Sequence, residues 1–138
     1  MNKTFNDIIE LKKHSIHLQN IAFKSIEPKK SGPLTVTLSD EIEYEGCKKG
    51  VVVFVLKSQM ESDPEAIYDL AIDVKVSLMY SIKDKEITQE EIDELFRKNS
   101  NAILNRTPVY DYLSLLISQI TSAFGKPPLV FYRTANNN

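Results

Sequence analysis

Residues 67–82 read IYDLAIDVKVSLMYSI, and the alternation in this stretch decides the fold. Leu70, Ile72, Val74, Val76, Leu78 and Tyr80 fall on one parity, and Asp69, Ala71, Asp73, Lys75, Ser77 and Met79 on the other. A period of two sustained over this length predicts a β-strand with one apolar and one largely polar face, because successive side chains of a strand point to opposite sides. A strand of that kind belongs to a sheet buried on one face and open on the other, as antiparallel sheets commonly are.

Upstream of it, three more segments read as strands. Leu34–Tyr44 alternates, with Leu34, Val36, Leu38, Ile42 and Tyr44 on one side. Val51–Gln59 opens on the continuous apolar run VVVFVL, which predicts cover on both faces there. Ser15–Glu27 has a fault: Ile16 and Leu18 set an even phase, whereas Ile21 and Phe23 set an odd one. A period of two cannot slip unaided, so Gln19-Asn20 predicts a bulge or bend. Pro28–Pro33 reads as a loop, and Gly46–Gly50 and Glu61–Pro64 as turns. Four strands with short connections imply an antiparallel meander, since a parallel pair needs a crossover of a dozen or more residues. Before them, Asn6–Lys13 reads as a short helix or an arm.

Helical signals follow the strands. Thr88 and Glu91 have the spacing of a capping box, for a helix reaching about Lys98 with Ile92, Leu95 and Phe96 inward. A connector from Asn99 to Arg106 carries the apolar Ile103 and Leu104. Thr107 and Pro108 then suit a helix start, and Gly125, Pro127 and Pro128 a helix end. Between them Val109, Tyr112, Leu113, Leu116, Ile117, Ile120 and Phe124 make one apolar stripe, while Tyr110, Leu115 and Ala123 lie off it. The expected architecture is α+β: a four-stranded antiparallel sheet, then one short and one long helix. The expected organisation is an arm or short helix over 1–14, one domain over 15–132 and a disordered tail over 133–138. One long helix cannot cover a four-stranded sheet, so apolar surface is left over and self-association is the natural remedy.

Composition narrows the function. The 138 residues are 42% hydrophobic and 26% charged, with a net charge of −2 and no basic stripe, which gives nucleic-acid binding no electrostatic support. A lone cysteine, Cys47, forms no internal disulfide and fits a reducing compartment; the polar N-terminus and the lack of a long apolar run predict a cytoplasmic protein without membrane insertion. Chemistry-bearing clusters are scarce. His14 and His17 would face one metal on a helix but opposite sides on a strand, and no further ligand joins them, so no metal site and no cofactor are expected. Cys47 has no neighbouring histidine to act as a base, and Glu90, Glu91, Asp93 and Glu94 suit the first turns of a helix. An enzyme is the weaker class.

Three stretches carry a family resemblance: IHLQNIAFK at 16–24, IDVKVSLMYSI at 72–82 and NAILNRTPVYDYLSLLIS at 101–118. In order and spacing they resemble the first strand, the fourth strand and the main-helix start of SecB, the bacterial export chaperone, and its SecB-like relatives. The first shares the polar interruption before an Ile-small-Phe step, and the second the aromatic-Ser-Ile ending. The third shares an Asn-x-Ile-Leu-x-x-Pro-Tyr start, here with extra spacing before Tyr110. The resemblance implies an ATP-independent chaperone, a homodimer paired into a homotetramer, whose apolar grooves hold unfolded polypeptide. It places Leu70, Ile72, Val74 and Val76 where the family's fourth strand supports groove and interface, and joins to them Leu113, Leu116 and Ile120 of the long helix; ordinary core packing is an equal reading. Asp73 falls at an acidic position that the family uses to meet the motor SecA. Asn20 and Lys24, however, replace acidic residues of that same meeting, the strongly acidic net charge of export chaperones is absent, and the chain stops soon after Tyr132, where SecB has a further helix. These departures imply a specialised relative with a dedicated client such as an antitoxin. The alternative is a non-chaperone adaptor of the same fold, its apolar excess taken up by oligomerisation or one specific partner.

Overall fold

The alternation of residues 67–82 is realised as strand β4 (Tyr68–Ile82), which holds a central place in the sheet. The computed structural model describes residues 4–25, 35–63 and 68–123. Ahead of β4 come helix α1 (Phe5–Ile8) and strands β1 (Ile9–Ser25), β2 (Thr35–Lys48) and β3 (Val51–Asp63); after it come helices α2 (Gln89–Lys98), α3 (Ser100–Asn105) and α4 (Val109–Ala123). All neighbours in the sheet are antiparallel, in the order β1-β4-β3-β2. Strands β2, β3 and β4 follow one another as a meander, and β1 lies along the other side of β4, so the first two strands of the chain form the two edges. The architecture is thus the α+β one expected, a four-stranded antiparallel sheet followed by helices, with the connector contributing the additional helix α3.

The N-terminus departs from expectation. Only Phe5–Ile8 is helical, and β1 begins at Ile9, inside the stretch read as an arm, because Ile9 pairs with Ile82 and is 1% exposed. The phase slip in β1 is a bulge as predicted: Leu18 opposes Val74 and Asn20 opposes Asp73, leaving Gln19 over. A second register shift, between Leu11 and His14, sets the two residues Lys12 and Lys13 against the single residue Met79. The Glu61–Pro64 turn does not begin at Glu61, since β3 runs on to Asp63. The expected loop at 28–33, the residues Pro64, Phe124, Gly125, Pro127 and Pro128, and the tail at 133–138 lie outside the described residues.

Register puts one row of each strand on the helix side. Leu38, Ile42 and Tyr44 of β2 oppose Met60, Leu56 and Phe54 of β3, which continue into Leu70, Val74 and Val76 of β4. Helices α2 and α3 pack toward β2, and α4 toward β4. Under them the core closes on Phe54, Leu56, Phe96, Leu104, Val109 and Ile117, each at 0% exposure. Local chemistry fixes the helix starts. The Thr88 side-chain oxygen accepts from the Glu91 backbone N–H at 3.2 Å, and its hydroxyl donates to the Glu91 carboxylate at 3.0 Å. The Thr107 hydroxyl donates to the Leu104 carbonyl at 2.7 Å, and the Tyr112 N–H donates to the Pro108 carbonyl at 2.9 Å, opening α4. Between β2 and β3, Lys49 (φ 54) and Gly50 (φ 78) both sit at positive φ, the backbone a tight two-residue hairpin requires.

Phe96 ties the layers together. Its ring meets Tyr80 of β4 at 4.9 Å and Phe5 of α1 at 5.8 Å, both edge-on. Phe96→Ala should lower unfolding free energy by about 3–5 kcal/mol, read from the midpoint of urea denaturation; a loss under about 1 kcal/mol would show that the three elements are not held through this ring.

Candidate functional site

Among the residues that sequence reading singled out, Leu70, Ile72, Val74, Val76 and Leu113 are each no more than 1% exposed. They are core residues of the subunit, so as side chains they support a surface from beneath and do not form it. Leu116 and Ile120 are half-buried, packed against the core from α4. The line of α4 pressed deepest is Val109, Leu113, Ile117 and Thr121, at successive four-residue steps, and Leu115, off that line, is 60% exposed. Of the residues off the stripe, Leu115 therefore faces outward within one subunit, whereas Tyr110 packs against the core.

A larger uncovered apolar ledge runs along β1. The bulge at Gln19 restores the phase, so Ile16, Leu18, Ile21 and Phe23 all oppose helix-side residues of β4: Val76, Val74, Ile72 and Leu70. Their β4 partners are sealed, but Leu18 and Ile21 remain 39% and 38% exposed. The outer backbone edge of β1 has no strand beside it among the described residues, and from His14 to Phe23 it carries no Asp, Glu, Lys or Arg. The opposite edge differs. Strand β2 carries Asp40, Glu41, Glu43 and Glu45, with Asp40 on the helix side, where it accepts from the Ser58 hydroxyl at 2.8 Å. Acidic side chains and inward-pointing charges discourage strand addition, and β1 lacks both across its middle.

The other face of the sheet is mixed. Lys57 reaches Glu43 at 2.9 Å and Val55 beside them is 2% exposed, whereas Met79 is 51% exposed. Asp73 lies half-buried between its cross-strand neighbours Asn20 and Lys57. His14 opposes Leu78 and His17 opposes Lys75, so the two histidines point to opposite faces, and the His17 ring lies 2.7 Å from the Ser15 hydroxyl. Among the described residues, no group of three or more His, Cys, Asp or Glu side chains could hold a metal ion, and no helix is long and apolar enough to cross a membrane.

A polar cluster that sequence reading missed fastens α2 to the end of the sheet. Tyr44 donates its hydroxyl to Asp93 at 2.5 Å, and the Cys47 thiol donates to the same carboxylate oxygen at 3.3 Å. The Gln89 amide donates to the Cys47 carbonyl at 3.3 Å, and the Arg97 guanidinium stands 5.3 Å from the centre of the Tyr44 ring. Cys47 belongs to β2 and not to a turn, facing Val52 on the helix side. Burial, then the Asp93 hydrogen bond, pushes the Tyr44 phenol well above its ordinary range; burial and the Cys47 side chain push Tyr80 up to about 12. The Tyr44 phenol is thus the donor of this cluster and the Asp93 carboxylate its acceptor. The Tyr44 hydrogen bond holds the Asp93 carboxyl below its ordinary range.

No family model matches the chain, and no curated protein matches it by sequence. A solved structure does match it: the Mycobacterium tuberculosis SecB-like chaperone Rv1957 in complex with a ChAD peptide from the Rv1956 HigA1 antitoxin. The TM-score is 0.70 at 16% identity, over 94% of this chain and 93% of that one. The chain has the fold of a SecB-like chaperone. A protein of unknown function from Streptococcus agalactiae matches far more loosely, at a TM-score of 0.34 and 12% identity over 91% of this chain and 97% of that one.

The Tyr44–Asp93 link gives a signed pH dependence. The folded-state carboxyl is depressed, so its contribution to stability is present above the ordinary carboxylate value and is lost as pH falls below that value through the lower folded-state one. Asp93→Asn should cost about 1 kcal/mol at pH 7 and flatten the fall in stability below about pH 4, measured by urea titrations at each pH; parallel curves for the two proteins would remove Asp93 from the acid response.

Proposed function

We propose that this chain is an ATP-independent chaperone of SecB-like type, acting in the cytoplasm as a homodimer or homotetramer that holds unfolded polypeptide. The observation that carries the proposal is the half-exposed pair Leu18 and Ile21 on an edge strand whose middle bears no charge. An extended segment laid there buries apolar side chains and also satisfies backbone N–H and C=O groups, so it needs no fixed sequence. The fold it shares with the M. tuberculosis chaperone supports the reading, and that protein's complex with an antitoxin peptide supports a dedicated client over a general export role. Asp73 has a cation, Lys57, on one side and the neutral Asn20 on the other, which makes a poor acidic patch, so SecA is not among the proposed partners. No nucleotide, metal or other cofactor enters the mechanism.

Dilution of a slow-folding, chemically denatured protein into buffer containing this chain should suppress its aggregation at about one oligomer per client. Leu18→Asp combined with Ile21→Asp should abolish the suppression while leaving circular dichroism unchanged, because both side chains are already partly in water. Unaltered aggregation with the unsubstituted chain would refute the holdase reading and leave the adaptor of the same fold.

Self-association is proposed to use the outward side of α4, where Leu115 is exposed and Leu116 half-buried. Leu116→Glu would bury an unpaired charge in that contact, at a cost of several kcal/mol. The solution mass from light scattering should then drop by at least half; an intact oligomer would remove α4 from the interface.

A further inference from the structure

The sheet face turned away from the helices is polarised in charge, and one end of it joins an apolar centre to a group of lysines. Register sets Val51 of β3 against Met79 of β4, and Val53 against Ser77 in the next row on that face. Met79 is 51% exposed and the two valines are half-buried, so the centre is open to solvent. The cations come from separate parts of the chain. Lys48 of β2 pairs with Val51, and Lys49 follows in the hairpin turn. The register shift in β1 sets Lys12 and Lys13 against Met79, where a regular strand sets one residue. Lys75 stands on the same face of β4, four residues before Met79. No basic run in the sequence announces this patch, because pairing of the strands assembles it. Its carboxylates are Glu10, opposite Ser81, and Glu45, at the register shift of β2. Among the described residues Lys13, Lys48 and Lys75 make no ion pair. Farther along the same face the sign reverses: Glu41, Glu43 and Asp73 surround Lys57, which is tied to Glu43 at 2.9 Å.

We propose that this end of the outer face docks an acidic protein segment with an apolar anchor: a Leu or Phe side chain against Met79, Val51 and Val53, flanked by Asp or Glu at the lysines. The inference adds a second surface to the chaperone proposed above and does not draw on the holdase reading. Each lysine offers its donors to carboxylates in charge-assisted hydrogen bonds. A methionine thioether, flexible and polarisable, adapts to whichever apolar side chain is presented. Charge complementarity selects the occupant and its place: lysines attract carboxylates at the hairpin end, and the acidic stretch beyond repels them. A membrane and a nucleic acid fit less well, because each presents a continuous array of anions, whereas Glu10 and Glu45 interrupt the lysines here. Self-association through α4 uses the helix side and leaves this face uncovered. The charges are exposed, so the attraction fades with salt.

The test uses the full chain, isotopically labelled at its methionine methyls and read by NMR. Of the three methionines, Met60 is sealed at 0% exposure and Met79 lies in the patch, so each spectrum carries its own control. Two fluorescent peptides, blocked at both ends, share a central Leu-Phe step flanked on each side by Glu in one and by Gln in the other. At low salt the Glu peptide should move the Met79 methyl resonance to saturation and leave that of Met60 in place. By anisotropy the Gln peptide should bind about tenfold more weakly, as expected for the loss of a few exposed charge pairs. Lys13→Gln with Lys48→Gln, both at exposed positions, should cost the Glu peptide about fivefold in affinity. The same variant should suppress aggregation as well as the unsubstituted chain does, because neither lysine belongs to the helix-side row of β1. Met79→Ser should weaken both peptides with circular dichroism unchanged, so the result does not depend on one variant. Equal affinity for the Glu and Gln peptides overturns the proposal, as does a Met79 resonance that stays still throughout the titration. A Met79 shift produced by phosphatidylglycerol vesicles or by a short DNA duplex, with none from the Glu peptide, also overturns it and assigns the face to that partner. Each of these failures leaves the holdase reading standing, since that reading is judged by aggregation alone.

Discussion

Width is the governing constraint of this subunit. Strands about 4.8 Å apart, four abreast, present a broader apolar face than a helix of about 10 Å diameter can shelter. The chain answers with α2 and α3 over the β2 side and α4 over β4. What lies beyond them is the helix-side row of β1, where exposure climbs from the sealed residues of β4 to 39% at Leu18 and 38% at Ile21. The surface proposed to meet a partner is thus the same feature as the incomplete cover. A wider helical layer would stabilise the monomer and leave nothing for a partner to touch.

Much of this was written plainly in the chain. Strict alternation from Leu70 to Tyr80 fixed which side of β4 is buried, and the change of phase between Leu18 and Ile21 placed a bulge or bend at the pair Gln19-Asn20, where the register shift falls. Other features escaped for physical reasons. Alternation says which face a side chain takes but not which strand lies beside it, so the pairing of β1 with β4 was not readable. The segment from Ile9 to Lys13 alternates only over Ile9, Glu10, Leu11 and Lys12, too short a run beside Ile8 to separate a strand from a helix, and it is the pairing with Ile82 that makes Ile9 a strand residue. The Tyr44–Asp93 contact joins residues 49 apart, across three strands and a turn, where no local pattern reaches. Residues of the central row were nominated as a surface because periodicity reports apolarity, whereas cover depends on where the helices come to rest.

The acidic β2 edge has a consequence of its own. A sheet that accepted strands on both borders would go on adding copies and polymerise into filaments, as open-ended contacts do. A pair of copies joined through their β1 edges would present only β2 borders outward, and there Asp40, Glu41, Glu43 and Glu45 discourage a further strand, so such a pairing would close at two.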